Sequence, residues 1–242
     1  MKICVAQTKS VRGDVQANIT NHQRLIELAV SNGAGIIIFP ELSITGYEPE
    51  LAKELATDQN DSRLDVFQQI CDKKQITIGV GMPLKSDPGI TISMIIFQPH
   101  KTRQVYSKQY LHSDEYPYFV SGNGQVFLAD ENNKIAPAIC YEISVREHAE
   151  NAYKNGAKIY IASVAKSVAG VEKTFKDLSG IAGKYSMTVL MSNCIGHCDN
   201  FDCGGKTSAW NDKGILLGQL NDINEGILIV DTETEKVIEK MV

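Results

Sequence analysis

Gly35-Ile36-Ile37-Ile38-Phe39-Pro40-Glu41-Leu42 begins as an unbroken apolar run and ends on a proline followed by an acid. A stretch this short, β-branched and bounded by Gly and Pro, reads as a strand buried on both faces. Upstream, Ile3-Cys4-Val5-Ala6-Gln7 is a second strand-like run, and residues 18–32 between the two carry Leu25, Ile26, Ala29 and Val30 at helical spacing. Strand, helix, strand is the unit that builds parallel sheets covered by helices. The alternation recurs as a helix over 62–74 before a strand at 76–80, and as a helix over 144–155 before a strand at 159–162. A helix over 172–185 then precedes a strand at 188–191. Three hairpin-like pairs lack helices: 92–98 with 104–106, 126–128 with 135–139, and 208–217 with 226–230. The pattern predicts α/β layers with some antiparallel pairing. No linker, low-complexity tract or tandem repeat interrupts it, so residues 1–242 are expected to form a single domain.

The chain carries 24 Lys+Arg against 29 Asp+Glu, a formal charge of −5, within a composition that is 43% hydrophobic. Without a basic run there is nothing to supply the counterion release of phosphate binding, so nucleic acid and anionic membranes are excluded as expected partners. The N-terminus turns polar after Gln7, and no apolar run approaches the roughly 20 residues needed to span a bilayer. Six unevenly spaced cysteines suit free thiols in a reducing compartment better than a disulfide scaffold, and a cytoplasmic location is expected.

Three apolar runs end on reactive side chains, where α/β chains commonly leave the core and expose catalytic groups. They are Phe39-Pro40-Glu41, Tyr106-Ser107-Lys108 and Ala138-Ile139-Cys140-Tyr141-Glu142. A Cys at a strand end just ahead of a helix is placed to be a nucleophile, because nearby positive charge and helix N-terminal amides favour its thiolate. Each residue alone has an ordinary reading: Cys140 as a small core hydrophobe, Glu41 as a loop cap, Lys108 as a solvated surface cation. Their order along the chain is the informative part.

Pro40-Glu41-Leu42-x-x-x-Gly46-Tyr47, Tyr106-x-Lys108-x-x-Leu111 and Cys140-Tyr141-Glu142 together resemble the three signature regions of the nitrilase, or carbon-nitrogen hydrolase, superfamily. The likeness continues through Asn193-x-x-Gly196, Phe201-x-x-Gly204-Gly205-Lys206-Thr207-Ser208-Ala209-Trp210-Asn211 and Glu225-Gly226, and so covers essentially the whole chain. The resemblance implies a four-layer αββα sandwich, assembled as a homodimer or larger homo-oligomer. It implies Glu41 as general base, Lys108 as oxyanion-stabilising cation, Cys140 as nucleophile and the Tyr141 main-chain N–H as a second oxyanion donor. Glu115 falls where relatives carry a second, substrate-positioning glutamate, with Asp114 as its neighbour. No cofactor is implied, and the expected substrate is a small linear amide: an ω-amide, an aliphatic amide or an N-carbamoyl compound. A short chain without the extensions of true nitrilases favours amides over nitriles.

The sequence also departs from the family's pattern. Val145-Arg146-Glu147 stands where an aromatic-Pro-Glu step is common, Lys184-Tyr185 replaces a frequent Glu-Asn pair, and Ser163-Val164-Ala165-Lys166-Ser167 lacks the usual Pro and aromatic residues. A small, differently shaped acyl pocket is therefore expected. Cys194-x-x-His197-Cys198-x-x-x-x-Cys203 lacks the paired Cys-x-x-Cys knuckles of a zinc site, and no metal is expected there; a redox pair is the competing use. His22, His100, His112, His148 and His197 are scattered. Gly79-x-Gly81 and Gly204-Gly205-Lys206-Thr207 lack P-loop spacing. Two other classes compete with the hydrolase: a catalytically silent binding protein of the same fold, and a redox protein built on Cys194, Cys198 and Cys203.

Overall fold

The computed structural model describes residues 1–129 and 134–242. Among these residues, fifteen strands are arranged as two sheets and a hairpin. The N-terminal half contributes β1 (Lys2–Gln7), α1 (Val15–Ser31), β2 (Ile36–Ile38), the short α2 (Ala52–Leu55), α3 (Asp65–Lys74), β3 (Thr77–Lys85), β4 (Ile90–Phe97) and β5 (Gln104–Ser107). The rest contributes β6 (Leu128–Ala129), β7 (Lys134–Ile139), α4 (Arg146–Lys154), β8 (Ala157–Val164), α5 (Val168–Tyr185), β9 (Thr188–Asn193) and β10 (Ile195–Cys198). It closes with β11 (Phe201–Gly204), β12 (Ser208–Trp210), β13 (Leu216–Gln219), β14 (Gly226–Asp231) and β15 (Val237–Met241).

The first sheet runs β15-β14-β1-β2-β3-β4-β5 and the second β13-β12-β9-β8-β7-β6. Strands β1, β2 and β3 pair in parallel, as do β7, β8 and β9, which is where the strand-helix-strand alternation pointed. Their apolar runs are continuous because both faces are buried. Ile3 and Val5 face the second sheet in one core, while Cys4 and Ala6 face α1 and α3 in another. Buried Ala149 and Ala152 of α4, with Val171, Leu178 and Ala182 of α5, join the core of the second sheet. The result is the four-layer αββα sandwich.

Side-chain hydroxyls hold the two sheets in register. Ser163 Oγ donates to the Phe39 carbonyl at 2.8 Å, and Ser192 Oγ donates to the Ala6 carbonyl at 2.6 Å. Two helices start earlier than the apolar spacing suggested, with Asp14 capping α1 by accepting from Ala17 N and Ser167 capping α5 by accepting from Gly170 N, whereas α3 and α4 start two or three residues later than expected. The predicted pairing of residues 208–217 with 226–230 is wrong. Strand β12 lies between β9 and β13 in the second sheet, whereas β14 lies between β1 and β15 in the first. The predicted pairing of 126–128 with 135–139 survives only as a short ladder, Leu128 with Ile135 and Ala129 with Lys134.

Candidate active site

Three strands end at one place. Glu41 follows β2, Lys108 follows β5 and Cys140 follows β7. The Glu41 turn is possible because β3 carries Gly81 beneath it: a Cβ there would come within 2.3 Å of Leu42 N and 2.7 Å of the Pro40 carbonyl oxygen. Lys108 is fixed on both sides by the main chain, its N–H donating to the Ile92 carbonyl and its carbonyl accepting from Gly122 N.

The Lys108 side chain is fully buried, and its Nζ donates to Glu41 Oε1 at 2.7 Å and to Glu115 Oε1 at 2.6 Å. Glu115 also accepts from Tyr47 OH at 2.9 Å and from His112 N at 2.8 Å. Two carboxylates thus share one ammonium in a site closed to bulk solvent, leaving the group short of positive charge. Burial pushes Glu41 above its ordinary range and nearby Glu115 adds to this, while Lys108 pulls it back. Lys108 itself is raised, since the charges of Glu41, Cys140 and Glu115 outweigh the lowering by burial. Glu41 Oε2 is buried with no hydrogen-bond partner among the described residues. It is an acceptor left open beside the Lys108 ion pair.

Cys140 opens a short 3₁₀ helix over Cys140–Ser144 and adopts a left-handed conformation, φ 44°. A non-glycine residue held there stores strain on the order of 1–3 kcal/mol, a common price at reactive residues. Tyr141 N–H lies in the first turn of this helix, where main-chain donors have no intrahelical acceptor. The expected thiolate at Cys140 is not what the surroundings favour. Burial, then Glu41, push the thiol up to about 11, more than Lys166 and Lys108 pull it down. The surroundings thus favour a thiol beside a carboxyl whose own pKa is raised.

This sets the pH dependence. A base must be ionised to act, and Glu41 is held above its ordinary value of 4.5. Activity is therefore expected to be present above the raised Glu41 pKa and to be lost as pH falls through it. The acid limb of kcat/KM measured from pH 4 to 9 should lie above pH 4.5; a limb at or below that value would contradict the shared-ammonium geometry.

Glu142 has a part that the sequence motif named without assigning. Its fully buried carboxylate accepts from Ile139 N at 2.7 Å, Gln109 N at 2.6 Å and Tyr106 OH at 2.6 Å. Those two amides belong to the residues next to Cys140 and Lys108, so one side chain ties both strand ends together. His148 Nε2 is 2.7 Å from Tyr106 OH, and its Nδ1 is 2.8 Å from Tyr160 OH. If Tyr106 donates to Glu142, His148 must donate from Nε2 and accept at Nδ1, which a neutral imidazole can do. Burial keeps it neutral, lowering its pKa to about 4. Glu142→Gln replaces an acceptor with an NH₂ that faces other donors. It is expected to cost about 1–3 kcal/mol of stability and to lower kcat more than it raises KM. Thermal unfolding and steady-state kinetics check this.

A cavity of about 260 Å³ opens over Cys140, lined by Tyr47, Glu115, Tyr141, Lys166 and Phe201 among others. Glu41 and Lys108 lie behind the thiol rather than in the cavity wall. Lys166, part of the segment that departs from the family's pattern, is a partly buried side chain in the cavity lining. Tyr47 and Phe201 meet with ring centroids 5.8 Å apart.

The site thus sets a buried Glu-Lys-Glu ion set beside a cysteine at positive φ, at the strand ends of a layered αββα fold. The sequence profile of the Carbon-nitrogen hydrolase family matches residues 2–240, and the chain belongs to that family. It is 23% identical over 98% of its length to "Hydrolase in agr operon" of Staphylococcus aureus, covering 93% of that protein. It is 24% identical to the glutamine-dependent NAD(+) synthetase of Aquifex aeolicus, of which it spans 42%. Among solved structures, a glutamate-to-glutamine mutant of the amidase from Nesterenkonia sp. AN1 superposes with TM-score 0.87 at 20% identity. The match covers 96% of this chain and 89% of that one. That structure carries the acetamide moiety of fluoroacetamide on its active site cysteine, and another mutant of the same amidase binds butyramide with the same TM-score. Among the described residues no helix is long and apolar enough to cross a membrane.

Proposed function

We propose that this chain hydrolyses the C–N bond of a small linear amide through a thioester on Cys140, with Glu41, Lys108 and Glu115 as its buried machinery. The observation that carries this reading is the Glu41–Lys108–Glu115 ion set, fully buried behind a cysteine at φ 44°. In the first half-reaction Glu41 takes the thiol proton as Cys140 Sγ attacks the carbonyl carbon. The ammonium of Lys108 has three N–H donors and spends two on carboxylates, so the third is available to the developing oxyanion, with Tyr141 N–H as the second donor. Protonated Glu41 then gives its proton to the leaving nitrogen. The C–N bond breaks and ammonia or an amine departs. In the second half, water loses a proton to Glu41 and attacks the thioester; the carboxylic acid leaves and Cys140 recovers its proton. Glu115 positions Lys108 and, through it, Glu41.

A cavity of about 260 Å³ is below the usual 300–1,000 Å³ of small-molecule sites, which favours a short acyl group. Lys166 in its lining favours an acyl group ending in a carboxylate, as in an ω-amide. A homo-oligomer assembled through a sandwich face belongs to the same reading. The test is ammonia release from a panel of short aliphatic amides, ω-amides, N-carbamoyl amino acids and nitriles. Wild type should turn over amides and Cys140→Ala should not. Lys166→Ala should raise KM for ω-amides about tenfold while leaving uncharged amides within about twofold. Turnover of nitriles alone would replace the amide reading, and silence of wild type on every compound would favour the binding-protein alternative.

A further inference from the structure

The strongest feature outside the catalytic set is the trio Cys194, Cys198 and Cys203. In sequence their spacing is irregular, but the β10–β11 register makes it regular. Cys203 pairs opposite Gly196, and so stands diagonal to both Cys194 and Cys198, which alternate with Gly196 along the other strand. All three side chains are buried. Cys203 Sγ lies 2.7 Å from Cys194 Sγ and 3.0 Å from Cys198 Sγ, and the remaining pair is 4.0 Å apart.

Sulfurs at 2.7 and 3.0 Å are closer than unbonded heavy atoms pack. A disulfide would join two of them and leave the third as an odd buried thiol pressed against the bond. Cys203 stands almost equally near both neighbours, so neither pairing is preferred by position. A single ion joins all three. The 4.0 Å pair already has the spacing of two thiolates on one tetrahedral ion, about 3.8 Å for a metal–sulfur distance of about 2.3 Å, and binding an ion would open the two crowded contacts to that same spacing. No carboxylate joins the group, and His197 turns out to solvent against Asp202 at 3.0 Å. An all-sulfur donor set selects thiophilic ions over magnesium or calcium.

We propose that Cys194, Cys198 and Cys203 form a three-thiolate site for a thiophilic cation of the zinc class, separate from the catalytic thiol. Three thiolates and one divalent ion leave a single negative charge, and each thiol that binds gives its proton to solvent. The expected role is to shape the pocket. Gly204 N donates to the Lys166 carbonyl at 2.7 Å, Ser167 and Cys203 form a β-bridge, and β11 carries Phe201 against Tyr47. An ion on the hairpin therefore fixes the wall that holds Lys166 and Phe201.

The test uses full-length Cys140→Ala protein, so that the pocket thiol cannot bind the probe. Reduced and stripped of metal, it is titrated with Cd²⁺ while the ultraviolet sulfur-to-cadmium charge-transfer band and the melting temperature are followed. The expected result is saturation at one ion per chain with a rise in Tm, and binding weakened about a hundredfold by Cys198→Ser or Cys203→Ser added to that background. Circular dichroism separates a lost ligand from a lost fold, and two single variants guard against one failing to fold. Zinc or copper found in the protein as purified, and removed by these substitutions, also supports the site. No cadmium bound by the folded, reduced parent would overturn it, as would equal binding by both variants. So would a purified protein lighter by two hydrogens that binds no cadmium once reduced, which would make the trio a disulfide pair and a spare thiol.

Discussion

Lys108→Met is expected to unfold the protein at a temperature roughly 6–20 °C lower than wild type and to reduce kcat/KM about a thousandfold or more. The stability loss follows from burial. Lys108 is the ammonium placed between Glu41 and Glu115, all three essentially inaccessible to water. Removing one partner of a buried ion set costs about 3–5 kcal/mol, because the remaining charges are left without a counter-charge. For a chain of this length each kcal/mol moves Tm by about 2–4 °C. The activity loss follows from the oxyanion, since one donor in a dry site is worth about two to three orders of magnitude and Lys108 also fixes the base.

The deficit has a predicted sign with pH. Glu41 is already raised by burial, and without the ammonium that pulls it back it is raised further in the folded state, so it binds a proton that the unfolded chain releases above its ordinary carboxylate pKa. Stability of the variant relative to wild type should therefore fall as pH rises above about 4.5 and recover as pH falls. Differential scanning calorimetry at pH 5 and pH 8 measures this. A variant with wild-type Tm at pH 8 would mean that Lys108 is not the counter-ion the geometry describes.

Cys140→Ala is expected to abolish turnover, a loss on the order of a millionfold, without unfolding the protein. Alanine keeps the backbone and removes only a desolvated thiol, so stability should stay within about 1 kcal/mol of wild type. Cys140→Gly should be as inactive yet more stable than Cys140→Ala by about 1 kcal/mol, since glycine meets no Cβ penalty at φ 44°. Both variants purified side by side and compared by Tm and amide turnover test the two halves of this expectation. Equal stability of the pair would remove the case for strain at the nucleophile.

Much of this was legible in the sequence, for reasons that vary with the residue. The parallel strands were visible because burial on both faces leaves continuous apolar runs such as Ile36-Ile37-Ile38. Strand ends marked Glu41, Lys108 and Cys140 only as separate candidates; it was the resemblance to the carbon-nitrogen hydrolase signature regions that implied they act together. The pairing of β12 and β14 was not visible: short antiparallel strands carry no mark of their partner, and here the partners lie in different sheets. Glu142 was quoted but given no role because it acts through main-chain amides 3 and 33 residues away. Burial at Cys140, which raises the thiol against the pull of Lys166 and Lys108, is a property of the folded chain and leaves no mark in the local sequence. The three hairpin cysteines looked ill-spaced because alternation along one strand and a diagonal to the other do not resemble a knuckle.

If Cys140 carries the acyl group of an amide substrate, rapid acid quench of wild type during turnover of a short amide, followed by peptide mass spectrometry, will find it there. The peptide containing Cys140 is expected to be heavier by the acyl group, with the adduct lost on mild base and absent from Cys140→Ala. Steady turnover with the acyl mass on another residue, or sustained by Cys140→Ala, would contradict it.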